Sequence, residues 1–115
     1  MKKKIIIFDI DNTITKTKKN NYRLAKPIKK RIELINRLYE KGHYIKIFTS
    51  RYMGRNKENI NLVKKKYHKK TFNQLSRWGV KFHKLIMGKP SYDILVDDKS
   101  FNSKDKKTFS MLNKL

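Results

Sequence analysis

Two carboxylates stand two positions apart at the end of an apolar run in Ile5-Ile6-Ile7-Phe8-Asp9-Ile10-Asp11-Asn12-Thr13, and a hydroxyl follows two positions later. A short run of β-branched and aromatic residues reads as a buried strand. Asp9 then emerges at the carboxyl end of that strand, where open α/β sheets collect their ligands. Asn12-Thr13 bends the chain away, so Asp9 and Asp11 lie close together in different surroundings and can divide the labour of a reaction. Alone, Asp-x-Asp at a strand end is more often a turn or a cap. Here it has company: Thr49-Ser50-Arg51 closes a second apolar run, Lys89 sits in Gly88-Lys89-Pro90, and Asp97-Asp98 follow Ile94-Leu95-Val96. Acidic residues number only nine, and four of them are Asp9, Asp11, Asp97 and Asp98. Negative charge is therefore concentrated where a divalent cation can use it.

The elements that must position these residues follow from periodicity. Residues 5–8 form the first strand. Pro27 suits the first position of a helix, and Ile28, Ile32, Ile35, Leu38 and Tyr39 recur at helical spacing until Gly42 stops it. Residues 44–49 read as a second strand. Ile60, Leu62, Val63 and Tyr67 permit a short helix within the basic stretch 55–70, and Thr71 with Gln74 has capping-box spacing, which starts a fresh helix ending at Gly79. Residues 80–86 and 92–97 read as third and fourth strands, and 103–115 as a closing helix. Strands alternating with helices imply an α/β fold with a mostly parallel sheet of about four strands and right-handed crossovers. The parallel direction places Asp9, Thr49 and Asp97 at one sheet edge.

At 115 residues the chain makes a single domain, 1–115, that buries roughly two thirds of its unfolded surface. It has no apolar stretch of membrane-spanning length and no signal-like region behind Met1-Lys2-Lys3-Lys4, so the expectation is a soluble, cytoplasmic protein without a membrane partner. Without cysteine, any metal must be held by oxygen or imidazole. A formal charge of +22, carried mostly by lysine, has two readings. One is attraction to polyanions, nucleic acid among them. The other is compositional, a solvated lysine face of the kind an AT-rich genome produces. His43 and His83 lie in or beside strands with no partner motif and read as structural.

Asp9-x-Asp11-x-Thr13, Thr49, Lys89 and Asp97-Asp98, each in its place along the chain, resemble the four motifs of the haloacid dehalogenase (HAD) superfamily, specifically its phosphatase branch. The resemblance implies a three-layer Rossmann-like fold in which the first strand lies between the second and the fourth. It implies Asp9 as the nucleophile that forms an aspartyl-phosphate, and Asp11 as the acid that protonates the leaving oxygen and then activates water. It also implies Mg²⁺ held by Asp9, Asp97 and the backbone carbonyl of Asp11, with Asp98 as an outer or water-mediated partner. Thr49 and Lys89 would bind the phosphoryl oxygens, with Ser50 and Arg51 beside them. On that reading Asp9 stays ionised, because metal and lysine favour its charged form, and the Asp11 pKa is raised relative to it. Such a site suits a phosphate monoester, whose hydrolysis is limited by anion repelling anion.

No cap domain fits. Residues 13–27 allow a short flap and 55–70 are too few for a separate cap, so the cleft is open and suits a large substrate or a homo-oligomer whose neighbour acts as lid. The phrases Ala25-Lys26-Pro27-Ile28, Trp78-Gly79-Val80 and Gly88-Lys89-Pro90-Ser91-Tyr92-Asp93 resemble small capless HAD proteins linked to capsule or lipopolysaccharide synthesis, which implies a phosphorylated small molecule such as a sugar phosphate as substrate. Two other readings stand beside it: a polynucleotide 3′-phosphatase, favoured by the lysine cluster at 64–70, and a non-catalytic basic binding module on the same scaffold.

Overall fold

The computed structural model describes residues 2–115. Three parallel strands form its centre, β1 (Ile5–Phe8), β4 (Tyr44–Thr49) and β5 (Lys84–Met87), in the order β1-β4-β5. Two short strands, β2 (Thr15–Lys16) and β3 (Lys26–Pro27), pair antiparallel to close the loop after β1. Helix α1 (Lys29–Glu40) joins the loop to β4, α2 (Ile60–Arg77) joins β4 to β5, and α3 (Lys106–Asn113) closes the chain. The result is a Rossmann-like α/β arrangement. No helix among the described residues is long and apolar enough to cross a membrane.

Alternation along the strands decides where the core lies. Ile6 is paired with Ile45, and Phe8 with Ile47, which in turn pairs with Leu85. Paired residues of a parallel ladder share a face, and on this one Phe8, Ile45, Ile47, Leu85 and Met87 are buried. Ile32, Leu34, Ile35 and Leu38 of α1, with Val63 and Leu75 of α2, complete the same core. A buried Ile or Leu contributes about 1.5–3 kcal/mol, so this face carries most of the stability. The opposite face is half open: Ile5, Ile7 and Tyr44 are all exposed. Of the three layers expected, the sheet and one helical layer are therefore formed, and the other face is left partly open.

Several boundaries differ from those the periodicity predicts. Pro27 does not open α1, because Lys26 and Pro27 pair with Lys16 and Thr15, and the Ile28 N–H donates to Ile14 O at 2.8 Å. The chain is still extended there. Residues 60–77 form one helix instead of two, capped by Asn59, whose side chain accepts from the Leu62 N–H at 3.1 Å. Thr71 and Gln74 are not a cap; both are buried mid-helix. The strand placed at 80–86 is the shorter β5.

The largest correction concerns 92–97, predicted as a fourth strand. It forms no ladder, and Ile94 and Val96 are 82% and 91% exposed. Alternating apolar residues make a strand only where a neighbouring strand takes up their backbone hydrogen bonds, and this segment is tied elsewhere. Ser91 bonds to the Glu58 carboxylate through N–H and hydroxyl, at 2.9 and 3.0 Å. Ser103 donates from its hydroxyl to Asn12 O at 3.1 Å. Between these two anchors the chain is exposed, and among the described residues the outer edge of β1 is unpaired.

Candidate active site

The turn after β1 is built around one carbonyl. Ile10 O accepts the N–H groups of Thr13, Ile14 and Thr15, at 3.1, 2.8 and 3.2 Å. Ile10 and Ile14 are fully buried, which anchors the turn in the core. Asn12 takes a left-handed conformation with φ of 61°, one that asparagine tolerates better than most residues. Asp9 and Asp11 flank Ile10 and so lie on the side of the turn away from the core.

Asp11 is fully engaged. The Arg51 guanidinium binds it bidentately, Nε to Oδ2 at 2.8 Å and Nη2 to Oδ1 at 2.9 Å, and the Thr17 hydroxyl donates to Oδ1 at 2.6 Å. All three bonds end on carboxylate oxygens, so the side chain presents acceptors only. In this arrangement both oxygens are held as acceptors by Arg51 and Thr17. Arg51 in turn is 2% exposed, donates from Nη1 to Gln74 Oε1, and lies over the Tyr22 ring at 4.9 Å. The expectation that Arg51 grips a substrate is thus corrected: the guanidinium is buried and occupied by Asp11 and Gln74. Gln74 completes the chain by donating to Tyr22 O at 2.8 Å.

Thr49 ends β4, buried, with its hydroxyl oxygen accepting the Arg51 N–H at 3.1 Å. Its O–H remains available as a donor, but the side chain does not border the cleft. Ser50 does. Lys89 is carried alongside by a backbone bond from its N–H to Thr49 O at 3.1 Å. Gly88 makes this turn possible: its φ is +95°, and a Cβ there would meet Ile60 at 2.9 Å. The ends of β1, β4 and β5 thereby converge on a polar cavity of about 560 Å³ that Asp9, Asn12, Ser50, Arg55, Lys89 and Lys104 help to line. A second cavity of about 520 Å³ adjoins it, shared by Asp9, Asp11 and Lys89 and bordered by Ile94 and Phe101.

Arg55 and Lys104 were not singled out by sequence. Arg55 stands over Tyr22 and Tyr52 at 5.0 and 5.2 Å and donates to Asn20 O at 2.6 Å. Nothing in a basic stretch distinguishes it from its neighbours. Tyr52 holds a φ of 68°, unusual for an aromatic residue, and stacks on Tyr67 with centroids 3.8 Å apart. That conformation turns the chain sharply after Arg51, between the buried guanidinium and the cavity wall.

Asp97 and Asp98 do not join this group. Both are exposed, and neither borders either cavity. Asp97 instead accepts from the Lys99 N–H at 3.2 Å, the main reason its carboxyl is held below the ordinary value. Among the described residues no three His, Cys, Asp or Glu side chains converge as a metal site. A hard cation such as Mg²⁺ takes several oxygen ligands in near-octahedral geometry. With Asp97 and Asp98 apart, only Asp9 and the Asp11 backbone carbonyl remain of the expected ligand set, and the residues as arranged do not fit that ion.

Burial pushes the Asp9 carboxyl up from its ordinary value, with Asp11 adding to the rise; Lys89, the Ile10 backbone N–H and Arg51 oppose it. The expectation of a firmly ionised Asp9 rested on a metal and a lysine beside it, and here desolvation outweighs the lysine. His43 and His83 are structural. Their Nδ1 atoms accept the N–H groups of Lys4 and Ile45, both at 3.0 Å, and His83 stacks between Tyr39 and Tyr44.

No protein-family model matches the chain, and a search of characterised proteins finds no match. A crystal structure of a structural-genomics target from Vibrio cholerae is similar over 98% of both chains, with a TM-score of 0.80 at 22% identity. At that identity the likeness speaks for the fold alone.

Proposed function

We propose that the protein hydrolyses phosphate monoesters at Asp9 on a HAD-type scaffold, with a small phosphorylated metabolite as substrate. The observation that carries this reading is the composition of the polar cavity: one half-buried carboxylate, Asp9, at a strand's carboxyl end among the cations Lys89, Arg55 and Lys104, with the Ser50 hydroxyl beside them. A phosphoryl group needs such surroundings. Its oxygens repel an attacking carboxylate unless fixed positive charges compensate them.

Asp9 attacks phosphorus, the ester P–O bond breaks, and the departing oxygen takes its proton from water. A second water then attacks the aspartyl-phosphate, releasing inorganic phosphate and restoring Asp9. Asp11, held as an acceptor, suits the second step, where it can take a proton from that water. Its engagement by Arg51 leaves the first step without an acid, so esters with good leaving groups react more readily than alkyl esters. Mg²⁺, implied by the motif resemblance, enters none of these steps because the residues as arranged do not fit it.

Release of p-nitrophenol from p-nitrophenyl phosphate tests the proposal, because that leaving group needs no acid. Wild type should turn over and Asp9→Asn should not, in buffers with and without added Mg²⁺. Equal inertness of both proteins on this ester and on a panel of sugar phosphates would remove the enzymatic reading in favour of a binding module.

A further inference from the structure

The longest helix carries an uncompensated charge that the Asp9 site does not use. Between Ile60 and Arg77, α2 contains six lysine and arginine residues and no acid. Lys64, Lys65, His68 and Lys69 line a groove of about 520 Å³, whose other wall is the outer side of β5 beginning at Lys84. No acidic residue borders it. β5 is an edge strand, and His68 lies with Nε2 3.3 Å from Leu85 O, bridging helix to strand along the groove floor. Lysine on an edge strand guards against unwanted strand pairing, which accounts for Lys84 but not for three further lysines facing it from a helix.

Aromatic rings extend the same surface. His68 and Phe72, one helical turn apart, lie nearly parallel with centroids 6.3 Å apart, and Phe72 meets Phe82 edge-on at 5.4 Å. Phe72 is 43% exposed on a helix face otherwise crowded with cations. A positive groove that tracks a phosphate backbone, beside an exposed aromatic on which a base can stack, is the combination that recognises single-stranded nucleic acid without regard to sequence. An acidic peptide would use the lysines and leave the ring idle; a duplex would offer it no base face.

We infer that the groove between α2 and β5 binds single-stranded nucleic acid, with Lys64, Lys65, Lys69 and Lys84 on the phosphates and Phe72 on a base. The groove residues are separate from Asp9, so binding holds whether or not that site hydrolyses phosphate. Fluorescence anisotropy with a labelled oligothymidylate of roughly a dozen nucleotides, between about 50 and 200 mM salt, provides the test. The triple variant K64Q/K65Q/K69Q should lose at least about tenfold in affinity and flatten the salt dependence by about 2 in log–log slope. The charge-matched triple K106Q/K107Q/K114Q, on α3 and just past its end, should lose much less. Phe72→Ala should weaken the oligonucleotide about fivefold or more and leave inorganic polyphosphate binding unchanged. Equal losses in the two triples would show an unlocalised field and overturn the inference. So would a Phe72→Ala variant that binds the oligonucleotide as wild type does, or polyphosphate binding as tight as that of the oligonucleotide.

Discussion

Arg51 and Asp11, forty residues apart, form a two-bonded ion pair directly beneath the cleft, with the guanidinium 2% and the carboxylate 18% exposed. The pair ties the turn after β1 to the end of β4 and, through Gln74, to α2. Removing one partner leaves the other charge buried and unpaired, which costs about 3–5 kcal/mol. Arg51→Met should therefore lower the urea midpoint severely without changing the slope. The double variant R51M/D11L should recover part of the loss, because it buries no orphaned charge.

Asp9 should support the fold less once it ionises. Its carboxyl is raised by burial, so the folded state binds this proton more tightly than the unfolded chain does. The stabilisation linked to the proton is complete below the unfolded value of about 3.8 and is lost as pH rises through the higher folded value. Asp9→Asn removes the penalty and should stabilise the protein by about 1 kcal/mol near pH 7 while abolishing hydrolysis. Chemical denaturation of both proteins across the acid range checks the sign: their difference should shrink toward low pH and grow as pH rises.

Lys89 opposes that shift. Lys89→Met should raise the Asp9 carboxyl further and cost about a hundredfold in turnover, as loss of a charge aimed at the reacting oxygens does. The nucleophile must be ionised, so the acid limb of the pH–rate profile should move to higher pH in the variant. A limb that stays in place would separate Lys89 from Asp9.

Gly88 sets where Lys89 emerges. Gly88→Ala forces a Cβ against Ile60 at a left-handed φ and should cost about 1–2 kcal/mol. Since the distortion sits one residue from the lysine, turnover should fall more than stability alone explains. The paired variant G88A/I60A, which removes both γ carbons that the new Cβ would meet, should recover part of both.

The strands that meet at the cleft were legible because their runs are β-branched and aromatic and their ends polar: residues 5–8 and 44–49 form strands as expected, although Ile5 and Ile7, read as part of a buried strand, are exposed because no layer covers that side of β1. The parts that misled were those where pairing, not pattern, decides. Ile94-Leu95-Val96 has strand composition, yet Ser91 and Ser103 are tied to Glu58 and Asn12, and no single-sequence rule reveals such anchors. The buried Arg51 was equally opaque. A basic residue after Thr49-Ser50 looks like a hand for a substrate, and only the fold shows that Asp11, Gln74 and Tyr22 already surround it. Thr71 and Gln74 mimic a helix start for a related reason: Gln74 sits mid-helix to meet Arg51 and Tyr22, and such a polar residue shares the composition of a cap.

Helix α2 repeats like charges at one-turn spacing, Lys65 with Lys69 and Lys66 with Lys70, and each such pair works against the helix by about 0.2–0.5 kcal/mol. Ionic strength therefore pulls in two directions. Counterions relax the crowding along this rod and raise its melting temperature, while the same counterions compete for any polymeric anion lying against it. The conditions that keep this molecule most robust are those in which it holds such a ligand least firmly.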